Sequence, residues 1–182
     1  MNVLLLFGTT EGHTRKIAQF VFQRLEHADH AVKMVEAMML PASLDPAAYD
    51  AVIIAASVHV GHYQPRVVDF VRKHHVALNK MKSAFISVSL AAAGQDDDDV
   101  QGIARCVEAF SRDTGWTPTQ LHHAAGAFRF TQYDFFKTWA MKYIAWHKNV
   151  RVVAGQDLEL TDWPALGQFI DSFAPQNAMA KV

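Results

Sequence analysis

Residues 7–14 have the sequence FGTTEGHT and separate an apolar run, residues 3–7, from a helical pattern. In the helical pattern, Ile17, Val21 and Leu25 recur at the spacing of one helix face. The hydroxyl groups of the stretch, a flexible glycine and the positive end of the following helix can together hold an anion. The stretch lacks the glycine fingerprint of dinucleotide folds and the lysine of nucleotide-hydrolysing loops. It therefore predicts a site for an isolated phosphate group, with a Thr-rich capped turn as the alternative.

The composition is that of one soluble domain. A chain of 182 residues can bury one well-packed core. Its apolar runs are too short for a transmembrane span, and no signal sequence precedes the first strand-like run. A net charge of −1 gives no general attraction to nucleic acid, and the lone Cys106 rules out cysteine-based metal sites. We therefore expect a cytoplasmic domain without a metal site.

Apolar runs of strand length alternate with helical patterns, which predicts a parallel α/β sheet. The predicted strands cover residues 3–7, 31–35, 51–56, 83–90 and 121–127, and helical patterns follow each of them except the second. The last helix follows Asp162, which can cap it, with Pro164 in its first turn. Before this helix lie a further helical pattern and a strand-like segment, at 132–148 and 157–160. We therefore expect one domain over residues 1–175, with a helical insertion at about 129–156 that splits the fifth strand, and a frayed tail at 176–182.

Two more loops follow predicted strands at the edge where open parallel sheets bind ligands. The second loop can fold over a flat ring, with its tyrosine stacking on the ring and its histidines donating hydrogen bonds. The third loop has small side chains that permit close approach of a planar ligand. Taken alone, the residues of the second loop are more typical of a protein surface, and the third loop would be interpreted as an ordinary loop. The candidate residues are Ser57, His59, Val60, Gly61, His62 and Tyr63 in the second loop, and Ser89, Leu90, Ala91, Ala92 and Ala93 in the third.

Together the three loops resemble the flavodoxin superfamily, in which the first loop holds the phosphate of FMN and the other two flank the isoalloxazine ring. A closer resemblance covers nearly the whole chain and is to the bacterial quinone-linked protoporphyrinogen IX dehydrogenase family. Its motifs are Leu6-Phe7-x-Thr9-x-x-Gly12-x-Thr14-Arg15-x-Ile17-Ala18, Ala55-Ala56-Ser57-x-x-x-Gly61-His62-Tyr63, Ser83-Ala84-Phe85-x-Ser87-Val88, Ala125-Gly126-Ala127-x-Arg129 and Thr161-Asp162-Trp163.

This resemblance implies a flavodoxin-like, doubly wound sheet of five parallel strands in the order 2-1-3-4-5, with non-covalent FMN. It also implies that protoporphyrinogen IX is oxidised to protoporphyrin IX in haem synthesis, with electrons passed to a membrane quinone. No side-chain acid or base is implied, because the flavin itself takes up hydride and electrons. The residues implied to bind FMN are those of the second and third loops together with Thr9, Thr10, Glu11, Gly12, His13 and Thr14.

The predicted inserted helix, residues 133–148, has an aromatic face opposite a face that carries three lysines. This pattern is typical of a helix that lies on anionic lipid. The same face can instead accept a porphyrinogen or a quinone, or pack on its own domain. The acidic run Asp96–Asp99 is interpreted as a solvated loop that would repel substrate propionates and acidic lipid. The candidate residues for substrate or for peripheral contact with the inner membrane are Arg129, Phe136, Trp139, Lys142, Tyr143 and Trp146.

Two other functions stay open on the sequence. One is a flavodoxin-like FMN electron-transfer protein that performs no substrate chemistry of its own. The other is an interaction protein of the same fold that has lost FMN.

Overall fold

The computed structural model of the protein describes residues 1–94, 97–128 and 158–176. Five parallel strands form the main sheet, and their order is β2-β1-β3-β4-β5, which confirms the predicted fold class. The strands are β1 (Asn2–Gly8), β2 (Ala31–Glu36), β3 (Ala51–Ser57), β4 (Lys82–Ser89) and β5 (Gln120–Ala125). The α-helices of the described residues are α1 (His13–His27), α2 (Pro65–Leu78), α3 (Asp97–Thr114) and α4 (Trp163–Phe173).

The helices form two layers, one on each face of the sheet. Successive residues of a strand point to opposite faces. In β1, Leu5 therefore packs on the side of α1 and α4, whereas Leu4 and Leu6 pack on the side of α2 and α3. Because both faces are covered, the central strands β1 and β3 are apolar without alternation. The packing brings the carboxyl ends of all five strands to one edge of the sheet.

The segment that follows the insertion pairs differently from the prediction. The sequence pattern places the segment at 157–160 in the fifth parallel strand. Instead, β7 (Leu158–Glu159) pairs antiparallel with β6 (Ala127–Phe128), outside the main sheet. Gly126 separates β5 from β6, where its N–H bonds to the Ser89 carbonyl and its carbonyl accepts from Leu160 N–H. The bond to Ser89 continues the ladder between β4 and β5, and the bond from Leu160 continues the ladder between β6 and β7, so the chain passes from one sheet to the other at Gly126.

Most of the acidic run is helical, whereas its sequence is interpreted as a loop. Helix α3 begins at Asp97, so that Asp97, Asp98 and Asp99 occupy its first turn, while Asp96 lies outside the described residues. Carboxylates at this end are stabilised by the positive pole of the helix. These three aspartates thus have a structural role at the start of α3.

Helix α4 confirms the signals predicted at its start. The Asp162 carboxylate accepts a hydrogen bond from Ala165 N–H at 2.9 Å, and Pro164 lies in the first turn. Leu166, Ile170 and Phe173 are buried against the sheet. None of the helices that the structure describes is both long and apolar enough to cross a membrane. The predicted inserted helix at 133–148 lies outside the described residues, as does the tail from 177 onward.

Candidate functional site

The first loop joins β1 to α1 and turns on Gly12. Gly12 has φ +88°, a left-handed conformation that favours glycine, and its N–H donates to Thr9 Oγ1 at 2.8 Å. No side chain of the described residues caps α1, although the first N–H groups of a helix have no partner within the helix. The start of α1 therefore presents backbone donors and the positive helix end to the loop, an arrangement that suits an anion.

The side chains of this loop are not equally accessible. Thr10 and Gly12 are exposed, and Thr9, Glu11 and His13 are partly buried. Thr14 is only 1 % exposed, so its side chain belongs to the interior below the loop. Thr9 and Thr10 thus have the hydroxyls nearest to solvent.

The second loop contains a tight turn with backbone strain at its tip. His59 and His62 form an isolated antiparallel bridge, in which His59 N–H bonds to the His62 carbonyl at 2.8 Å and His62 N–H bonds back at 3.1 Å. Val60 and Gly61 between them have φ of +49° and +79°. The left-handed region is costly for a β-branched residue, and Val60 is also 85 % exposed. Strain of this kind is concentrated at ligand-binding positions.

Tyr63 anchors this second loop in the protein interior. Its ring is 6 % exposed and makes edge contacts with Phe85 and Phe110, with ring centroids at 5.1 and 4.9 Å. Its hydroxyl is 2.8 Å from Ser87 Oγ in β4. Burial raises the pKa of Tyr63 well above its ordinary value. Stacking of this ring on a bound flavin is not the arrangement seen here, because both its neighbours and its polar end lie in the core.

Gln64 links the first two loops. Its Nε2 donates to Thr10 Oγ1 at 3.0 Å and to Ser57 Oγ at 2.6 Å. Its Oε1 is buried and accepts no hydrogen bond from the described residues. A Cβ on Gly8 would lie 2.9 Å from this Oε1 and 2.6 Å from Val67 Cγ2, so the end of β1 must be glycine for α2 to come this close.

The third loop follows β4 as a short 3₁₀ turn over Ala91–Ala93. Ser89 Oγ accepts from Ala92 N–H at 3.2 Å, and Ser89 is itself buried. Leu90 and the three alanines are partly buried. The loop thus has a backbone of defined shape with little side-chain bulk, which is the surface predicted for close approach of a planar ligand.

The three loops follow β1, β3 and β4, and the strand order changes direction between β1 and β3. Ligands of open parallel sheets bind at such a point. The residues present fit FMN in three respects. The uncapped start of α1 suits a phosphate, the orphaned Gln64 Oε1 can accept from a hydroxyl or N–H of a ligand, and the small third loop suits a ring. The assignment of each residue to a contact with FMN stays a prediction.

Two features of this region were missed by the prediction from sequence. The bridge formed by Gln64 has no sequence signal beyond its place directly before Pro65 and α2. The bond between His13 Nε2 and Thr161 Oγ1, 2.7 Å long, joins residues that are far apart in the chain. The candidates Arg129, Phe136, Trp139, Lys142, Tyr143 and Trp146 lie outside the described residues, and their roles stay predictions.

The chain is similar to proteins of known name over almost its full length. It is 29% identical over 176 residues to protoporphyrinogen IX dehydrogenase (quinone) of Escherichia coli K12, covering 96% of this chain and 95% of that one. It is 28% identical over 171 residues to the protein of the same name from Leishmania major, covering 94% and 74%. These matches confirm the family resemblance that the motifs predict.

Solved structures and a family match agree with the fold. A flavodoxin of Streptococcus pneumonia TIGR4 superimposes with a TM-score of 0.55 at 14% identity, covering 97% of each chain. The flavodoxin domain family matches residues 4–151, and this match confirms FMN as the cofactor predicted from the three loops. Since that match covers most of the 182 residues, the chain belongs to the flavodoxin domain family.

Proposed function

We propose that this protein oxidises protoporphyrinogen IX to protoporphyrin IX through bound FMN and passes the electrons to a membrane quinone. One observation carries the proposal. The similarity to the Escherichia coli dehydrogenase covers 96% of the chain and so extends past residue 151, where the match to the flavodoxin domain ends. The aligned region therefore includes the return segment with Thr161-Asp162-Trp163, which lies beyond the part that matches the flavodoxin domain.

In this proposal the protein binds and orients the cofactor, and FMN supplies the hydride and electron chemistry. The backbone N–H groups at the start of α1, with the hydroxyls of Thr9 and Thr10, bind the phosphate. The second and third loops enclose the ring. Gln64 holds the phosphate side and the ring side in one arrangement, since it donates to both Thr10 and Ser57.

The insertion has the substrate and membrane roles in the proposal. Its sequence has an aromatic face with Trp139, Tyr143 and Trp146 and an opposite face with lysines. Arg129 and Lys142 are cations that can pair with the propionates of the porphyrin. Peripheral contact with the inner membrane would bring the flavin near the quinone. Trp139→Asp should weaken binding to anionic liposomes with FMN retained, and unchanged liposome binding would argue against this role.

The activity is tested by anaerobic mixing of the FMN-loaded protein with protoporphyrinogen IX and a soluble quinone analogue. Porphyrin fluorescence should rise well above controls that lack quinone or flavin. Because protoporphyrinogen IX also oxidises without an enzyme, the controls define the background. Porphyrin formation no faster than that background, in protein shown to contain FMN, would overturn the proposal and favour an electron-transfer protein without substrate chemistry. A protein that binds no FMN would favour the interaction protein instead.

A further inference from the structure

The motif Thr161-Asp162-Trp163 follows β7 and ends on the first residue of α4, and each of its residues makes a specific contact. Asp162 caps α4. Trp163 Nε1 donates to Glu159 Oε1 at 2.7 Å, and its ring lies 5.0 Å from that of Phe20 in α1. Thr161 contacts both the first loop and the end of β5. The motif therefore connects the return of the chain to α1.

The hydroxyl of Thr161 determines the direction of the hydrogen bond with His13. Thr161 Oγ1 donates its one hydrogen to the Ala125 carbonyl at 2.7 Å, since a carbonyl can only accept. The same oxygen is 2.7 Å from His13 Nε2. It must accept there, so His13 carries a hydrogen on Nε2. The result is a chain of two hydrogen bonds from His13 through Thr161 to Ala125.

This chain joins three points that matter for the cofactor. His13 directly follows Gly12 and is the first residue of α1, whose N–H groups form the anion site. Ala125 is the last residue of β5, where the main strand ends, and Thr161 follows β7, where the chain returns. A second link lies one turn further along α1, where Lys16 pairs with Glu159 and lies over the Trp163 ring. The first turn of α1 is thus held from one side by the return segment.

We propose that Thr161 is a positioning residue for the cofactor phosphate, which it orients by holding His13 and the start of α1 against the end of β5. The inference rests on the assignment of the first loop to the FMN phosphate. It predicts that Thr161 affects recognition of the phosphate and leaves recognition of the ring unchanged. It also makes the Thr161-Asp162-Trp163 motif part of cofactor binding, although Thr161 need not touch the cofactor.

The experiment compares FMN with riboflavin, which has the same ring and no phosphate. The apoprotein is titrated with each flavin, and binding is followed by quenching of flavin fluorescence. Thr161→Val keeps the shape of the side chain but removes both hydrogen bonds. It should weaken FMN binding by about three- to tenfold, the effect of one or two lost hydrogen bonds, with riboflavin binding unchanged. Thr161→Ser keeps the hydroxyl and should restore the affinity for FMN.

Thr119→Val is the matched control at the opposite end of β5. Thr119 Oγ1 donates to the Ser83 carbonyl at 2.5 Å and accepts from Ser83 N–H at 3.1 Å, so it also links neighbouring strands through its hydroxyl. This variant should lose stability with no change in the preference for FMN over riboflavin. If it shifts the preference as Thr161→Val does, the effect is one of general stability and the inference is wrong.

A double-mutant cycle tests the route through His13. In a His13→Leu background, Thr161→Val should cause little additional loss of FMN affinity, because the bond is already absent. Additive losses would overturn the inference, and so would equal losses for both flavins or a failure of Thr161→Ser to restore binding. If Thr161→Val does not fold, His13→Leu breaks the same bond and should show the same FMN-selective loss. If the unaltered protein binds no FMN, the cofactor assignment itself fails, which is a separate outcome.

Discussion

The loops after β1 and β3 follow neighbouring strands of the sheet, yet different kinds of contact hold them in place. The first loop is held by polar contacts near the surface, namely Gly12 with Thr9 and His13 with Thr161. The second loop is held from below by the buried ring of Tyr63, and its tip is a strained and exposed turn at Val60. The first arrangement leaves backbone donors open to an anion, while the second fixes the loop through an aromatic ring packed in the core.

The difference indicates how two parts of one ligand can be bound by different physical means. A phosphate needs donors with fixed directions, which polar contacts at a helix start provide. A flat ring needs a rigid surface, which a buried anchor provides. If this holds, substitutions in the first loop should change the preference for FMN over riboflavin. Substitutions in the second loop should weaken the binding of both flavins by a similar factor.

Removal of the Tyr63 anchor should have the largest effect. Tyr63→Ala removes a ring packed between Phe85 and Phe110, and truncation of a buried aromatic costs about 3–5 kcal/mol of unfolding free energy. Urea denaturation measures this loss. FMN and riboflavin should both bind more weakly, by a similar factor. A selective loss of FMN would contradict the distinction between the two loops.

Tyr63→Phe is the matched variant, because it keeps the ring and removes only the hydroxyl. The loss leaves the buried Ser87 Oγ without its partner at 2.8 Å, which should cost about 1–2 kcal/mol. Flavin binding should change little. A loss as large as that of Tyr63→Ala would mean that the hydrogen bond, and not the ring, is the anchor.

Two glycines in left-handed conformations allow a direct comparison of the loops. Gly12→Ala and Gly61→Ala each place a Cβ at positive φ, +88° and +79°, which should cost about 1–2 kcal/mol. At Gly61 the added Cβ meets nothing within 4 Å, so strain is its main effect. Both variants should lose similar stability in denaturation, but only Gly12→Ala should lower the preference for FMN over riboflavin. An equal change in preference would contradict the assignment of the phosphate to the first loop.

The main sheet was predictable because its signals are local. The apolar runs at β1 and β3 need no tertiary information, and neither does the cap that Asp162 provides for α4. The family resemblance supplied the strand order and the cofactor. The placement of individual side chains was less predictable. Tyr63 has the same sequence context whether it faces a ligand or the core, and only the packing of Phe85 and Phe110 decides between them.

The missed contacts are those between distant parts of the chain. The bond from His13 to Thr161 depends on how β7 pairs with β6, a pairing that the bond from Leu160 N–H to the Gly126 carbonyl extends. No periodicity in the sequence reports such bonds. The start of α3 was placed too late because the acidic run Asp96–Asp99 was interpreted as a loop, although carboxylates also favour the first turn of a helix.

The strained tip of the second loop predicts a gain in stability on substitution. Val60 is 85 % exposed at φ +49°, so Val60→Asn loses little packing and replaces a β-branched residue by one that tolerates this conformation. The unfolding free energy should rise by about 0.5–1 kcal/mol. If the tip contacts the flavin, both FMN and riboflavin should bind more weakly. No gain in stability would mean that the conformation of Val60 carries no strain.

The smallest expected effect is a difference in pH dependence between the return segment that contacts α1 and the second loop. Partial desolvation of Glu159 acts to raise its pKa, but hydrogen bonds from Lys16 and Trp163 outweigh it and the pKa is lowered. The stability from this carboxylate is therefore present above its ordinary pKa of about 4.5 and is lost as the pH falls below that value. Glu159→Gln should reduce stability by less than about 1 kcal/mol at neutral pH, as for an exposed ion pair, with no difference at acid pH.

The second loop should respond at the opposite end of the pH range. The pKa of Tyr63 is raised by burial, so its contribution is present below the ordinary tyrosine pKa of about 10 and is lost as the pH rises above it. Urea denaturation of the apoprotein from pH 3.5 to pH 10.5 measures how the unfolding free energy falls at acid pH and at alkaline pH. The method resolves differences of about 1 kcal/mol in this free energy. Glu159→Gln should reduce only the fall in unfolding free energy at acid pH, and Tyr63→Phe should reduce only the fall at alkaline pH. If the stability of Glu159→Gln falls with acid pH as steeply as that of the unaltered protein, the ion pair with Lys16 does not stabilise the return segment, and the His13–Thr161 bond and the ring contacts of Trp163 hold it to α1.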